Sequence, residues 1–329
     1  MLISRTPFRI SFFGGGTDFE DYFKIHGGAV LSTTIDKYCY ITWRRLPALF
    51  DYKNQFSYSK IERFNRPDEV EHPVIREAFK HYKIDRVQIA YDADLPARSG
   101  LGASSSFSVG LINSYYHYMG KNPDKMTLAK EAIHLERVLC REAGGVQDQL
   151  AAAFGGLNKM TFGPEGYEVK QVDINPDRKK SLNQNLMLFF TGFTRLSDEI
   201  ARDQNRKIPQ RLSQIDHMKS LVGKAEEILV GQGDLSEFGA LLNKTWELKR
   251  TLSEKITTDY IDVAYKKALN AGAVGGKLLG AGGGGFLLFY VEPDAREKVI
   301  SALPEFYHIP FGFENDGSKI IYEGDSHCE

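Results

Sequence analysis

From Pro96 to Ser106 the chain reads Pro-Ala-Arg-Ser-Gly-Leu-Gly-Ala-Ser-Ser-Ser and runs straight into the apolar-periodic segment Phe107, Val109, Leu111, Ile112, Tyr115. Glycines let backbone approach an anion closely, unpaired N–H groups at a helix start point toward it, and nearby hydroxyls reach a metal. Nucleotide phosphates are the chemistry this pattern suits. No Gly-Lys-Ser/Thr closes the loop, so it is not a Walker sequence. Taken alone, it is equally well explained as a serine-capped strand-to-helix turn.

Two further glycine elements change that balance. Near the N-terminus a strand-like alternation (Phe8, Ile10, Phe12 against Arg9, Ser11) enters Gly14-Gly15-Gly16-Thr17-Asp18. Near the C-terminus Lys277-Leu278-Leu279-Gly280-Ala281 leads into Gly282, Gly283, Gly284 and Gly285, then the apolar run Phe286 to Val291. Consecutive glycines lose more backbone entropy on folding than any other residue, which is a high cost for an ordinary turn. Close approach of backbone to a ligand explains them better.

These elements, in this order, resemble the three motifs of the GHMP kinases, the superfamily of galactokinase, homoserine kinase, mevalonate kinase and phosphomevalonate kinase. The resemblance spans almost the whole chain. It implies an α+β, two-domain GHMP kinase fold, with an N-terminal α+β domain and a ferredoxin-like C-terminal domain, and it implies ATP and Mg2+ as cofactors. The nucleotide is then expected on Pro96, Ser99, Gly100, Leu101, Gly102, Ala103, Ser104, Ser105 and Ser106. Gly14, Gly15, Gly16, Thr17, Asp18, Gly282, Gly283 and Gly284 are expected to face the acceptor.

Phosphoryl transfer from ATP needs a metal on the phosphates, a group that orients or deprotonates the acceptor, and positive charge near the transferring group. Asp148, after Gly144-Gly145 and before an alanine-rich helix, stands where the family places its catalytic aspartate. Without the resemblance it reads as a first-turn helix Asp. Glu136 stands where the family has its metal glutamate, about a dozen residues earlier, with an intervening segment that looks one residue longer than in mevalonate kinases. The metal would take Glu136 and a loop hydroxyl, Ser104 first and Ser105 second; a solvated helix-surface Glu is the plainer alternative. Arg9 matches the arginine that galactokinases carry near the acceptor hydroxyl, though strand alternation alone makes it an exposed polar residue. Asp18 matches a position that binds sugar hydroxyls in the galactokinase branch, or is a turn Asp.

The galactokinase Gly-Glu-His-Thr-Asp is replaced here by Gly14-Gly15-Gly16-Thr17-Asp18, which removes two polar sugar contacts and argues against galactose. The form is most similar to the bacterial D-glycero-D-manno-heptose 7-phosphate kinases, which phosphorylate the anomeric hydroxyl on the route to nucleotide-activated heptose for surface polysaccharide. The resemblance thus implies a sugar or sugar phosphate as substrate, with another hexose or N-acetylhexosamine as alternative acceptor and a non-catalytic nucleotide or sugar sensor as the alternative role. A substrate phosphate would need further cations, for which Lys24, Arg44, Arg45 and Arg98 are candidates.

The elements that must position these residues are legible in outline. Strands are expected over 29–43, 56–64, 87–95, 156–162 and 186–191, and helices over 74–82, 104–119 and 127–141. Residues 197–271 are expected to be largely helical with breaks near Pro209 and Gly231, and the chain to end in strand, helix, strand. The polar, basic segment 173–185 marks a boundary between domains 1–180 and 181–329. At 329 residues, 42% hydrophobic and 26% charged, the chain has material for two such cores. A net charge of −1 gives no electrostatic case for nucleic acid or an anionic membrane. Cys39, Cys140 and Cys328 form neither a disulfide framework nor a zinc pattern, and the first residues lack an apolar signal core, so a cytoplasmic protein is expected. The oligomeric state stays open.

Overall fold

The computed structural model of the chain describes residues 1–97, 99–192 and 197–324. In chain order its elements begin with β1 (Leu2–Phe13), α1 (Glu20–His26), β2 (Gly28–Arg45), β3 (Asn54–Ser57), β4 (Ile61–Phe64), α2 (Pro73–Tyr82), β5 (Val87–Ala93) and α3 (Ala103–Tyr118). There follow α4 (Lys125–Ile133), a π turn over His134–Leu139, α5 (Gln147–Phe154), β6 (Leu157–Gly163), β7 (Gly166–Gln171), α6 (Pro176–Asn185) and β8 (Leu186–Phe190). The chain continues through α7 (Ser197–Lys207), α8 (Leu212–Val230), α9 (Ser236–Arg250), α10 (Asp259–Asn270), β9 (Ala273–Leu278) and β10 (Phe286–Val291). It closes with α11 (Arg296–Ala302), β11 (Tyr307–Ile309), β12 (Phe313–Glu314) and β13 (Lys319–Glu323).

Among the described residues the strands form a nine-stranded sheet built on β13-β1-β2-β5-β3-β4, and a four-stranded sheet in the order β11-β8-β10-β9. The second sheet, read from β8 as its first strand, has the 4-1-3-2 antiparallel order of a ferredoxin-like domain. On one face of β1, Phe8, Ile10 and Phe12 enter an apolar cluster shared with Leu188 of β8, Leu288 of β10 and Phe238 and Leu242 of α9, while Arg9 and Ser11 on the other face are buried as well. That shared cluster joins the two sheets and fixes the seam along which the glycine loops lie. Each fully buried side chain of this kind contributes roughly 1.5–3 kcal/mol.

Several expectations change in detail. Residues 56–64 form the hairpin β3–β4 rather than one strand. The segment 173–185 contains α6, because Asn175 caps it, accepting from the N–H of Asp177 at 2.9 Å, and Pro176 occupies its first turn. The helix expected over 127–141 ends as α4 at Ile133 and passes into the π turn, where the N–H of Cys140 donates to the carbonyl of Leu135 at 2.9 Å. The chain's last strands return to the large sheet, β12 pairing with β2 and β13 with β1. Residues 313–323 therefore sit in the sheet of the N-terminal half, which a division at residue 180 does not capture. Cys39 and Cys140 are free thiols, and Cys328 lies outside the described residues. Among the described residues no helix is long and apolar enough to cross a membrane.

Candidate active site

Arg9, from the middle of β1, is 5% exposed, and the sequence alternation that makes it a surface residue is overridden by pairing. Its Nε and Nη2 donate to the two oxygens of Asp148, each at 2.8 Å, and its Nη1 donates to the carbonyl of Gly100 at 2.6 Å. A two-pronged guanidinium–carboxylate contact fixes both groups in one plane. Asp148 is in the first turn of α5, and its side chain keeps 24% exposure, so lone pairs remain open to the cleft. The backbone N–H of Arg9 donates to the carbonyl of Leu101, which fastens β1 to the glycine-serine loop.

That loop opens α3 without a capping side chain. Gly102, at φ 73°, holds the cap position, and its carbonyl accepts from the N–H of Ser106. The N–H groups of the first turn, from Ala103 to Ser105, have no partner within the helix, as at any helix start, and no capping side chain takes their place. A Cβ at Gly102 would stand 3.2 Å from Arg9 Cγ and 3.5 Å from Asp148 Oδ2, so the glycine-serine loop lies directly against the Arg9–Asp148 pair. The third glycine element packs on the second. A Cβ at Gly280 would lie 2.4 Å from the Cα of Gly100, and one at Gly285 would lie 2.2 Å from the carbonyl oxygen of Ser99. Gly282 passes equally close to Ile256, whose carbonyl accepts from the N–H of Gly283 at 2.8 Å. These glycines do serve a close backbone approach, and what they approach in the structure is protein backbone, at Gly100, Ser99 and Ile256.

The first glycine element joins at Asp18, which is 2% exposed. One of its oxygens accepts from the N–H of Gly16 at 2.9 Å, and the other accepts from the N–H and Nε2 of Gln147 at 3.2 and 3.0 Å. The turn Gly14-Gly15-Gly16 is thereby tied to the residue preceding Asp148. Burial, and after it the neighbouring Asp148 charge, raises the Asp18 carboxyl above the usual carboxylate range. In this arrangement Asp18 holds the scaffold of the site together, a task its sequence position alone does not announce. Thr17 closes the same turn, its hydroxyl bonding to the carbonyls of Gly14 and Ala29, each at 2.8 Å.

Glu136 is 1% exposed, which removes the solvated-surface alternative. Its Oε2 accepts from Ser105 Oγ at 3.0 Å and Gln149 Nε2 at 2.6 Å and faces Arg137 at 3.3 Å, while Oε1 has no hydrogen-bond partner. A buried carboxylate oxygen left without a donor suits a cation. Ser104, one residue earlier than Ser105, is exposed at the mouth of the loop. The two serines thus differ: Ser105 is buried and bonded to Glu136, whereas Ser104 is exposed. The π turn that carries Glu136 takes up one extra residue, as such turns do, and aims the side chain inward.

Of the cations named for a substrate phosphate, Arg44 and Arg45 lie far from this constellation. Arg9 pairs with Thr34 in the sheet, whereas Arg44 pairs with Gln88 ten residues further along β2, roughly 30 Å away at about 3.3 Å per residue. Arg45 follows it, and Lys24 is exposed on α1, paired with Glu20. Arg98 lies outside the described residues. Sequence reading also missed two lysines beneath the loops. Lys249 donates to the carbonyls of Leu278 and Gly280, and Lys277 donates to those of Ser11 and Phe12 at 2.9 and 2.8 Å. A groove of about 750 Å³ lined by Val172, Lys179, Lys180 and Phe313 lies on the α6 side of the molecule, apart from this constellation.

Comparison with known proteins agrees with the geometry. The model of the GHMP kinases N-terminal domain matches residues 70–156, and that of the GHMP kinases C-terminal domain matches residues 225–309. The D-glycero-alpha-D-manno-heptose 7-phosphate kinase of Campylobacter jejuni subsp. jejuni serotype O:2 is 31% identical over 335 residues, 96% of this chain and 97% of the relative. A galactokinase of Thermotoga maritima is 26% identical over 94% of this chain and 95% of the relative. Among solved structures, a D-glycero-D-manno-heptose 1-phosphate kinase from Bacteriodes thetaiotaomicron superposes with a TM-score of 0.80 at 25% identity, covering 99% of this chain and 100% of that one. A mevalonate kinase superposes at 0.73 with 18% identity, which speaks for the fold alone. With the three glycine elements meeting around Arg9 and Asp148, the chain belongs to the GHMP kinase family, as a sugar kinase.

Proposed function

We propose that the protein transfers the γ-phosphoryl group of ATP to the anomeric hydroxyl of D-glycero-D-manno-heptose 7-phosphate, forming the 1,7-bisphosphate and ADP. The observation that carries the reading is the Arg9–Asp148 pair set against the uncapped start of α3. The heptose relative at 31% identity and the absence of a Glu-His pair from the Gly14–Asp18 turn favour this acceptor over galactose.

Magnesium, when bound, neutralises phosphate charge; Glu136 Oε1 and Ser104 Oγ are the protein oxygens that would hold it. The chain's own residues do the rest. The N–H groups at the start of α3 bind phosphate oxygens, and the glycines let them come close. Asp148 accepts a hydrogen bond from the acceptor hydroxyl and takes its proton as the new O–P bond forms and the bond to the leaving ADP oxygen breaks. Because phosphoryl transfer has a loose transition state, orientation of that hydroxyl matters more than basicity. Arg9 keeps the carboxylate in one rotamer and places positive charge beside the negative charge that builds on the transferring group.

The test is an ATP-consumption screen across heptoses, hexoses and their phosphates, with NMR of the product to locate the new phosphate. Heptose 7-phosphate should give the highest kcat/KM, with phosphorus coupled to the anomeric proton. A better acceptor among unphosphorylated hexoses would refute the assignment of substrate.

A further inference from the structure

Lys249 stands in the last turn of α9, in the stretch Thr-Trp-Glu-Leu-Lys-Arg, and belongs to none of the glycine motifs. It is 7% exposed, yet among the described residues no carboxylate pairs with it. Its ammonium is spent on two backbone carbonyls: Leu278, at 3.2 Å, and Gly280. A buried lysine without an acid is a rare and costly arrangement. Lys277 repeats it on the next strand, holding the carbonyls of Ser11 and Phe12 at the end of β1.

The carbonyls that Lys249 holds begin a chain of contacts to the reacting groups. Gly280 lies against Gly100 so closely that a Cβ on it would meet the Gly100 Cα at 2.4 Å. The Gly100 carbonyl receives Arg9 Nη1 at 2.6 Å, and Arg9 grips Asp148 with its two remaining nitrogens. Every link is a hydrogen bond or a backbone contact with no side chain between, so little slack separates Lys249 from Asp148.

We propose that Lys249 is a positioning residue for phosphoryl transfer: by holding the Leu278 and Gly280 carbonyls it seats the third glycine loop on Gly100 and so sets the carbonyl that aligns Arg9 on Asp148. Burial, reinforced by Arg9, draws the Lys249 ammonium down to about 7, in keeping with a cation held without a counter-ion.

This inference rests on the kinase reading above, and its test keeps the two separable. Lys249→Met in the full-length protein should lower kcat on the order of tenfold or more while the KM for the acceptor moves less than about threefold, because the lost contact acts on alignment. Lys249→Arg should recover most of the rate. Combined with Arg9→Lys, the loss should fall well short of the product of the single losses, since both act through one contact chain. Should Lys249→Met not fold, Lys249→Gln, which keeps one donor, is measured in its place by the same criteria. A folded variant whose kcat stays within twofold of wild type, or losses that simply multiply, would overturn the proposal. Amide hydrogen exchange over residues 279–285 requires no turnover. Faster exchange in the variant supports the positioning role, and unchanged exchange overturns it even if no sugar acceptor is found.

Discussion

Gly280→Ala tests the meeting of the second and third glycine loops most sharply. At φ 71° the residue is in the left-handed region, which costs an L-residue with a side chain about 1–2 kcal/mol. Its new methyl would be 2.4 Å from the Cα of Gly100 and 3.1 Å from the Gly100 carbonyl oxygen, both backbone atoms that no rotamer change can move. To reach ordinary contact the loops must part by about 1 Å or more, with an overpacking cost of about 1–3 kcal/mol. The sum is about 2–5 kcal/mol of lost stability. Because the displaced carbonyl is the one that receives Arg9 Nη1, the rate should fall too, by about 100-fold for a misplacement of this size. Steady-state kinetics and calorimetric unfolding of the purified variant measure both. Gly223→Ala is the control: it lies within α8 with nothing in 4 Å of a new Cβ, and helix propensity alone should stabilise it by up to about 1 kcal/mol. If Gly280→Ala matches wild type in both melting temperature and rate, the loops do not press on each other and the architecture argued for the site is wrong.

Other substitutions separate roles within the site. Glu136→Gln should raise the magnesium concentration needed for half-maximal rate at least tenfold, as read from a metal titration of initial rates; an unchanged midpoint removes Glu136 from the metal. Ser104→Ala should weaken metal-nucleotide binding directly, whereas Ser105→Ala should act more mildly through Glu136, so calorimetric titration with magnesium and a non-hydrolysable ATP analogue should rank the two in that order. For Lys249 the folded ammonium titrates near 7 and the unfolded one near 10.5, so between these values the unfolded chain binds more protons and stability rises with pH. Arg9 beside it presses in the same direction, and burial draws the neighbouring Lys277 down as well. Unfolding free energy measured from pH 7 to 10 should therefore climb more in wild type than in Lys249→Met, and parallel curves would contradict the burial of a lone cation.

What the sequence disclosed, and what it hid, divides along physical lines. The glycine loops were legible because runs such as Gly282 to Gly285 carry a conformational cost that only a special backbone path offsets. Asp148 and Glu136 stand out only through the resemblance to the GHMP kinases; by their own local sequence they read as a first-turn helix Asp and a helix-surface Glu. Arg9 reads as a surface residue by alternation, because the period-two pattern reports which face of a strand a residue occupies and says nothing of what packs there. The return of β13 to β1 is hidden for a related reason: Lys319–Glu323 is a short strand at the sheet edge, half exposed, and its partner lies some three hundred residues earlier. Arg44 and Arg45 close β2, and an 18-residue strand carries its end far from its start, a distance that residue type does not report. Lys249 gave no signal at all, since its partners are backbone carbonyls, which every residue possesses.

In the proposed reaction Asp148, held by Arg9 beside the start of α3, mediates transfer of phosphate from ATP to a sugar. Asp148→Asn tests it most directly, with turnover followed by phosphorus NMR and nucleotide affinity by calorimetry on the same preparation. The sugar phosphate signal should disappear, a loss of about 1,000-fold or more, while the affinity for ATP stays within a few-fold of wild type. Sustained formation of the phosphorylated sugar by a folded Asp148→Asn protein would contradict it.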